Sequence, residues 1–298
     1  MSSLPLKADA TAAADASRYL VPGLQRGLQL LAQFRQDTPT LTGAELSRRL
    51  GVPRASVFRL LQTLEHLGFV ERLGDSAQYR LGIAVLRLGF EYLASMELTE
   101  NGRPVLDDLS NSTGYSGHLA VRDGTEVVFV AKTVGNPTLF SAIQVGARLP
   151  VHATVLGRVL LAGQSIEQLR LLYPAKELKK FTNQTPLTVA DLKNRVDADA
   201  ARGFGVSQGG YEVGISTIAA PVWGENAAVC AAISITIPSS SVKPELLDSL
   251  VQHVCSAAAK LSQRMGHSPR GPHNPPVAPS TAPVRAAPSS TLKEKVFA

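Results

Sequence analysis

The chain has 298 residues, and at roughly 100–200 residues per domain that implies about two domains. Lys plus Arg number 30 against 24 Asp plus Glu, a formal net charge of +6, and 44% of the residues are hydrophobic, enough for a buried core. No apolar run reaches the roughly 18–20 residues that span a bilayer. Residues 1–19, rich in Ala and Ser, lack the basic start and apolar stretch of a secretory signal. The expectation is a flexible N-terminus on a cytoplasmic protein with no membrane partner. Cys230 and Cys255 cannot form a disulfide framework, and six scattered histidines offer no metal-ligand spacing, so no cofactor is expected.

Positive charge concentrates near the front, where all nine basic residues of positions 18–80 are arginines, set against five acidic residues. Leu24, Leu28, Leu31 and Phe34 recur at helical spacing after Pro22-Gly23 and predict a first helix. Thr42 with Glu45 three residues on is a capping box opening a short second helix that ends at Leu50-Gly51. Pro53 sits where a first helical residue would, and Val57, Leu60, Leu61, Leu64 and Leu67 form the apolar stripe of a third helix stopped by Gly68. Phe69–Arg72, a Gly74-Asp75-Ser76 turn and Gln78–Leu81 read as a two-stranded ribbon.

That order is a winged helix-turn-helix over residues 20–82. The third helix has a basic N-terminal end with small side chains, able to enter a major groove. There Ser56 and Arg59, with Ala55 beside them, reach base edges, and Arg26, Arg54, Arg72 and Arg80 meet phosphates. Ile83, Leu86, Phe90 and Leu93 continue as a linker helix over 83–97. A further helix follows from about Leu98 to Ser112, beginning or kinking at Pro104 near its start. Residues 98–265 read as a mixed α/β domain, and the proline-rich segment 266–298 as a disordered tail.

An enzyme reading has one motif in its favour. Gly205-Val206-Ser207-Gln208-Gly209 matches the nucleophile elbow of α/β-hydrolases, which needs a buried strand before the serine and a helix after it. Here a charged helical stretch precedes it and Gly209-Gly210 follows, while Asp248 and His253 lie five apart on one predicted helix. The chain is therefore not read as an enzyme.

Several blocks, in order, resemble the IclR family of bacterial transcription regulators: Leu24–Leu31, Leu50–Leu61, Leu64–Val70, Tyr79–Gly82, Leu149–Ala162, Arg202–Val206, Ile218–Val222 and Ala231–Ile235. Where many members carry acidic residues after the Gly-Phe-Gly-Val segment, this chain has Ser207-Gln208-Gly209-Gly210-Tyr211-Glu212. The resemblance implies an α+β chain: the winged helix-turn-helix followed by a GAF-like effector-binding and oligomerisation domain with a central antiparallel sheet. It also implies a homodimer or homotetramer on double-stranded promoter DNA. The implied effector is a small carboxylate, aromatic acids favoured, controlling a catabolic operon.

By the same resemblance, Leu149, Val155, Leu156, Ser207, Ile215, Thr217, Ser234 and Thr236 fall on pocket positions. Read from the residues themselves, the amides opening a helix after Thr154 are an anion site, and Ser234 and Thr236 share one face of a strand. The alternative is that those hydroxyls satisfy neighbouring backbone groups. His118, on a strand, either meets the ligand or is a satisfied core histidine, and His152 holds its loop by a structural hydrogen bond. The competing function is a metabolite-binding protein whose winged helix mediates protein contacts.

Overall fold

The computed structural model describes residues 20–35, 37–74, 76–135, 143–175, 177–241 and 244–268. The expected flexible N-terminus, and the proline-rich tail from Pro269 onward, lie outside the described residues. The chain divides into two compact units, Met1–Glu97 and Leu98–Ala298.

In the first unit, α1 (Pro22–Leu31) packs through Gly27 and Leu30, while Leu24 and Leu28 are 63% and 59% exposed. This corrects the expected stripe. The helix is apolar on more than one side, and the side that meets the core is the one where Gly27 lets Leu60 approach. β1 (Thr40–Thr42) leads into α2 (Gly43–Leu50). The capping box forms as expected: the Thr42 amide donates to Glu45 Oε2 at 2.7 Å, and the Glu45 amide donates to Thr42 Oγ1 at 3.2 Å. The Thr42 amide, and the Thr42 hydroxyl donating to the same oxygen at 2.8 Å, hold the Glu45 carboxyl below the ordinary carboxylate range. Gly51 ends the helix at φ 63°, and Ser47 Oγ donates to the Val52 carbonyl across the turn.

Pro53 is the N-cap of α3 (Arg54–His66) rather than its first residue. Val57 and Leu61 enter a core with Leu30, Phe34, Leu41, Leu46, Val70 and Tyr79. β2 (Val70–Arg72) and β3 (Gln78–Leu81) pair antiparallel, and β1 pairs with the other side of β3. The wing is thus a three-stranded sheet in the order β1-β3-β2, not the expected two-stranded ribbon. α4 (Ile83–Ser95) follows, with Ile83, Leu86, Leu88, Phe90 and Tyr92 all exposed in the single chain.

The second unit opens with α5 (Glu97–Thr113), which runs through Pro104 in its interior instead of beginning there. Its sheet has six strands: β4 (Ser116–Asp123), β5 (Glu126–Lys132), β6 (Arg148–Pro150), β7 (Gly205–Gln208), β8 (Ile215–Trp223) and β9 (Val229–Pro238). All neighbours are antiparallel, in the order β6-β5-β4-β9-β8-β7. α5 and α9 (Pro244–Arg264) lie on the face carrying Leu119, where Gly102 leaves room for Leu119 and Leu261.

The opposite face carries α6 (Val155–Leu160), α7 (Ile166–Leu172) and α8 (Val189–Arg202). Ala120, Ala219 and Ala232 on that face pack with Val155, Leu156, Val159, Leu192 and Val196, small strand residues admitting a close helix. A Cβ at Gly157 would collide with the Val151 carbonyl, so the helical turn Val151–Ala153 folds tightly onto α6 only because that position is glycine.

Candidate functional site

The solvent face of α3 follows from 3.6 residues per turn. Arg54, Ala55, Phe58, Arg59 and Gln62 are exposed along one side, opposite buried Val57 and Leu61, and Ser56 is half-buried at the flank. Arg26 on α1 is exposed. The two wing arginines are already engaged. Arg72 donates to Tyr79 Oη at 2.6 Å and lies 5.3 Å above its ring, which raises the guanidinium pKa. Arg80 donates from Nε and Nη2 to Glu71 Oε2 at 3.0 and 2.8 Å. Phe58, 55% exposed on this side, was named neither in the apolar stripe nor among the groove-facing residues read from the sequence.

In the second unit, strand register gathers polar groups on the face under α6. Ser207, Thr217, Thr236 and Ser116 stand in one row across β7, β8, β9 and β4. One step along, Gly205, Ala219, Ser234, His118 and Lys132 form a second row reaching β5. His118 Nδ1 is 3.4 Å from Thr236 Oγ1, and its ring meets Phe129 edge-on at 5.7 Å. Burial pushes the imidazole down to about 4, helped by the neighbouring Lys132 ammonium, so His118 is neutral near pH 7. Ser234 is fully buried, and its Oγ makes no hydrogen bond among the described residues.

Val155 and Leu156, buried in the first turn of α6, close over this face, and Val155 stands against Gly205. Thr154 Oγ1 accepts from the Gly157 amide at 3.1 Å, so one amide that the sequence offered to an anion is already bonded. Ser207 Oγ accepts from the Gly210 amide at 3.2 Å. Ile215 is half-buried at the start of β8, two residues before Thr217. Leu149 packs on the same apolar cluster from β6, at the sheet edge opposite Ser207. The row residues and His118 therefore come together, whereas Leu149 stands apart from them.

His152 Nε2 meets the Lys179 carbonyl at 2.9 Å between the rings of Tyr173 and Phe181. Arg148 is exposed and paired with Asp123 and Glu126. Sequence reading also missed a cleft of about 420 Å³ beside β7, lined among others by Arg158, Gln184, Arg195, Asp199, Arg202 and Ser207. Its walls come from segments up to fifty residues apart, which no local pattern connects.

Ser207 sits inside β7, not on a strand-to-helix elbow, and β7 is followed by a loop leading to β8. His253 contacts the Ser249 carbonyl of its own helix. The hydrolase constellation is not assembled. Among the described residues no group of His, Cys, Asp or Glu could hold a metal ion, and no helix is long and apolar enough to cross a membrane.

A winged helix-turn-helix with an arginine-flanked third helix, joined to a sheet domain with a polar buried face, defines a ligand-responsive DNA-binding regulator. Residues 23–74 match the IclR helix-turn-helix domain, and residues 90–263 match the bacterial transcriptional regulator IclR C-terminal domain. The chain belongs to the IclR family of bacterial transcriptional regulators, and that family consists of regulators rather than enzymes. It is 27% identical over 248 residues to the HTH-type transcriptional regulator XynR of Escherichia coli (strain K12), covering 83% of this chain and 98% of that protein. It is 31% identical over 238 residues to the Pca regulon regulatory protein of Pseudomonas putida, covering 80% and 81%. An IclR homolog from Microbacterium hydrocarbonoxydans, solved in complex with 4-hydroxybenzoate, shares the fold at a TM-score of 0.70 and 23% identity, covering 82% of this chain and 98% of that one.

Proposed function

We propose that this regulator binds a small carboxylate, aromatic acids foremost, on the sheet face under α6, and thereby controls a catabolic operon. The observation that carries the reading is Ser234: a hydroxyl sealed from water and left without a partner is costly unless something else bonds it. Around it, Thr217, Thr236, Ser207 and neutral His118 supply directional polar groups, while Val155, Leu156 and Ile215 supply apolar surface for a ring. Positive charge borders the site at Lys132 and at the arginine cleft that shares Ser207. The complex of the Microbacterium neighbour with 4-hydroxybenzoate supports an aromatic acid.

Double-stranded promoter DNA is met by α3 and the wing, with Arg26 and Arg54 on phosphates and Ala55, Ser56 and Arg59 toward base edges. Arg72 and Arg80 join them once released from Tyr79 and Glu71. The working form is a cytoplasmic homodimer or homotetramer, supported by the apolar side chains that α1 and α4 leave in water. Residues 20–82 act as the reading domain, 83–97 as the linker helix, and 98–265 as the sensor.

A thermal-shift screen of the full chain against aromatic and short aliphatic acids tests the sensor. A ligand at 100 times its Kd adds about 2.7 kcal/mol, a plain rise in midpoint. No shift with any acid, in a folded sample, overturns the carboxylate reading. Arg59→Ala tests the reader: it should weaken specific DNA binding with the fold intact, and unchanged affinity would displace α3 from the groove.

A further inference from the structure

The exposed face of α3 carries one residue that charge and hydrogen bonding leave unexplained. Phe58 is 55% exposed, one turn past Arg54 and flanked by Arg59 and Gln62. The core of this unit is completed on the other side of the helix by Val57 and Leu61, so the ring contributes nothing to it. Nor does its surroundings resemble a protein seam. On α4 the exposed apolar residues Ile83, Leu86 and Phe90 succeed one another at helical spacing, whereas the neighbours of Phe58 on its face are two guanidinium groups, a carboxamide and the small Ala55. A face of that composition complements a polyanion that has an apolar spot within it.

Duplex DNA has such a spot in its major groove, the C5-methyl group of thymine. We propose that Phe58 is a specificity-determining residue whose ring packs on thymine methyl groups while Arg59 bonds base edges beside it. The proposal rests on the reading that α3 lies in the major groove. Ala55, one turn before Arg59 and carrying only a methyl group, lets the backbone come close enough for the ring to reach the base. The half-site therefore contains thymine at the position Phe58 covers, and discrimination there is against the missing methyl, not against a hydrogen-bonding pattern.

The test begins with operators selected by the full chain from a random duplex library. Each conserved thymine is then replaced by deoxyuridine, which removes one methyl and leaves every hydrogen-bonding edge intact. The wild-type chain should lose about fourfold in affinity at one or two thymines, the worth of burying one methyl group. Phe58→Ala should bind thymine and uracil operators equally, with unchanged melting and sedimentation, and Phe58→Leu should restore part of the difference. A thymine-to-uracil ratio that persists in Phe58→Ala overturns the proposal, as does a wild-type chain indifferent to every replacement. A change in oligomer size with the ratio intact would assign the ring to a protein contact instead. Arg59→Ala runs in parallel: if neither variant alters binding, the placement of α3 falls as well, whereas loss in Arg59→Ala alone overturns only the role of Phe58.

Discussion

Arg158 Nε donates to Asp199 Oδ2 at 2.6 Å, with side-chain exposures of 7% and 4%, and this buried pair ties α6 to α8. Arg158 also donates to the Val206 carbonyl, and Asp199 accepts from Arg202 as well, so the two charges fasten both helices to β7 beside Ser207. Removing one partner of a buried pair strands the other charge and costs about 3–5 kcal/mol. Asp199→Ala should therefore lower the stability of the second unit by that order, whereas Arg158→Met with Asp199→Leu should recover most of it. Urea unfolding followed by Trp223, the chain's single tryptophan and a residue of β8, reads this unit directly. A mild effect of Asp199→Ala would mean that water reaches the pair.

His118 makes stability depend on pH with a definite sign. Its folded-state value, about 4, lies below the ordinary 6.5, so on acidification the unfolded chain takes up the proton first. The contribution is complete above pH 6.5, declines as the pH falls toward 4, and levels off below; over that interval it is on the order of 3 kcal/mol. His118→Leu should flatten this part of the curve relative to wild type. Equal slopes in the two proteins between pH 6.5 and 4.5 would show that His118 is hydrated or charged when folded.

Ser234→Ala separates stability from sensing. Without ligand the variant should melt higher, since an unbonded buried hydroxyl costs about 1–3 kcal/mol. With the effector that the screen identifies, its affinity should fall about tenfold, the scale of one lost hydrogen bond. A variant that is less stable and binds as before would put Ser234 back among ordinary core residues.

Glu71 restrains Arg80 through an exposed ion pair whose own worth is below about 1 kcal/mol. Glu71→Ala should leave the melting temperature nearly unchanged and raise DNA affinity at low salt, because Arg80 no longer has to leave the pair, whereas Arg80→Ala should make the plot of log affinity against log salt shallower by about one. An unchanged slope in Arg80→Ala would mean that Arg80 never reaches a phosphate.

Elements carried by local chemistry were legible in the sequence. The capping box at Thr42 and Glu45, the Gly51 stop and the Val57–Leu61 spacing each depend on residues within a turn or two of one another. What needed tertiary information was misread or missed. Nothing local says that Leu30 rather than Leu24 and Leu28 turns inward, because the core it enters is built by Val57, Leu61, Val70 and Tyr79 from other elements. β1 is a three-residue strand whose partner lies nearly forty positions on, too short to carry a pattern of its own. Pro104 suggested a helix start or a kink, and the α5 backbone continues through it, so the start is excluded. In the second unit, alternation placed Ser234 and Thr236 on one face. Only the register added Ser207, Thr217, His118 and Lys132 to their rows, and only the fold brought Arg158 to Asp199, 41 residues away.

Thr42 holds two offices at once, as the last residue of β1, in register with Gln78 of the wing, and as the cap of α2. The wing and the helix pair before α3 consequently share a hinge-free joint. A hairpin attached only by its own ends could swing and adapt to the curvature of each site. This one is also held along β1, so swinging it would have to break the β1–β3 pairing or pull the cap off α2. Discrimination between operators then falls on the deformability of the DNA more than on that of the protein.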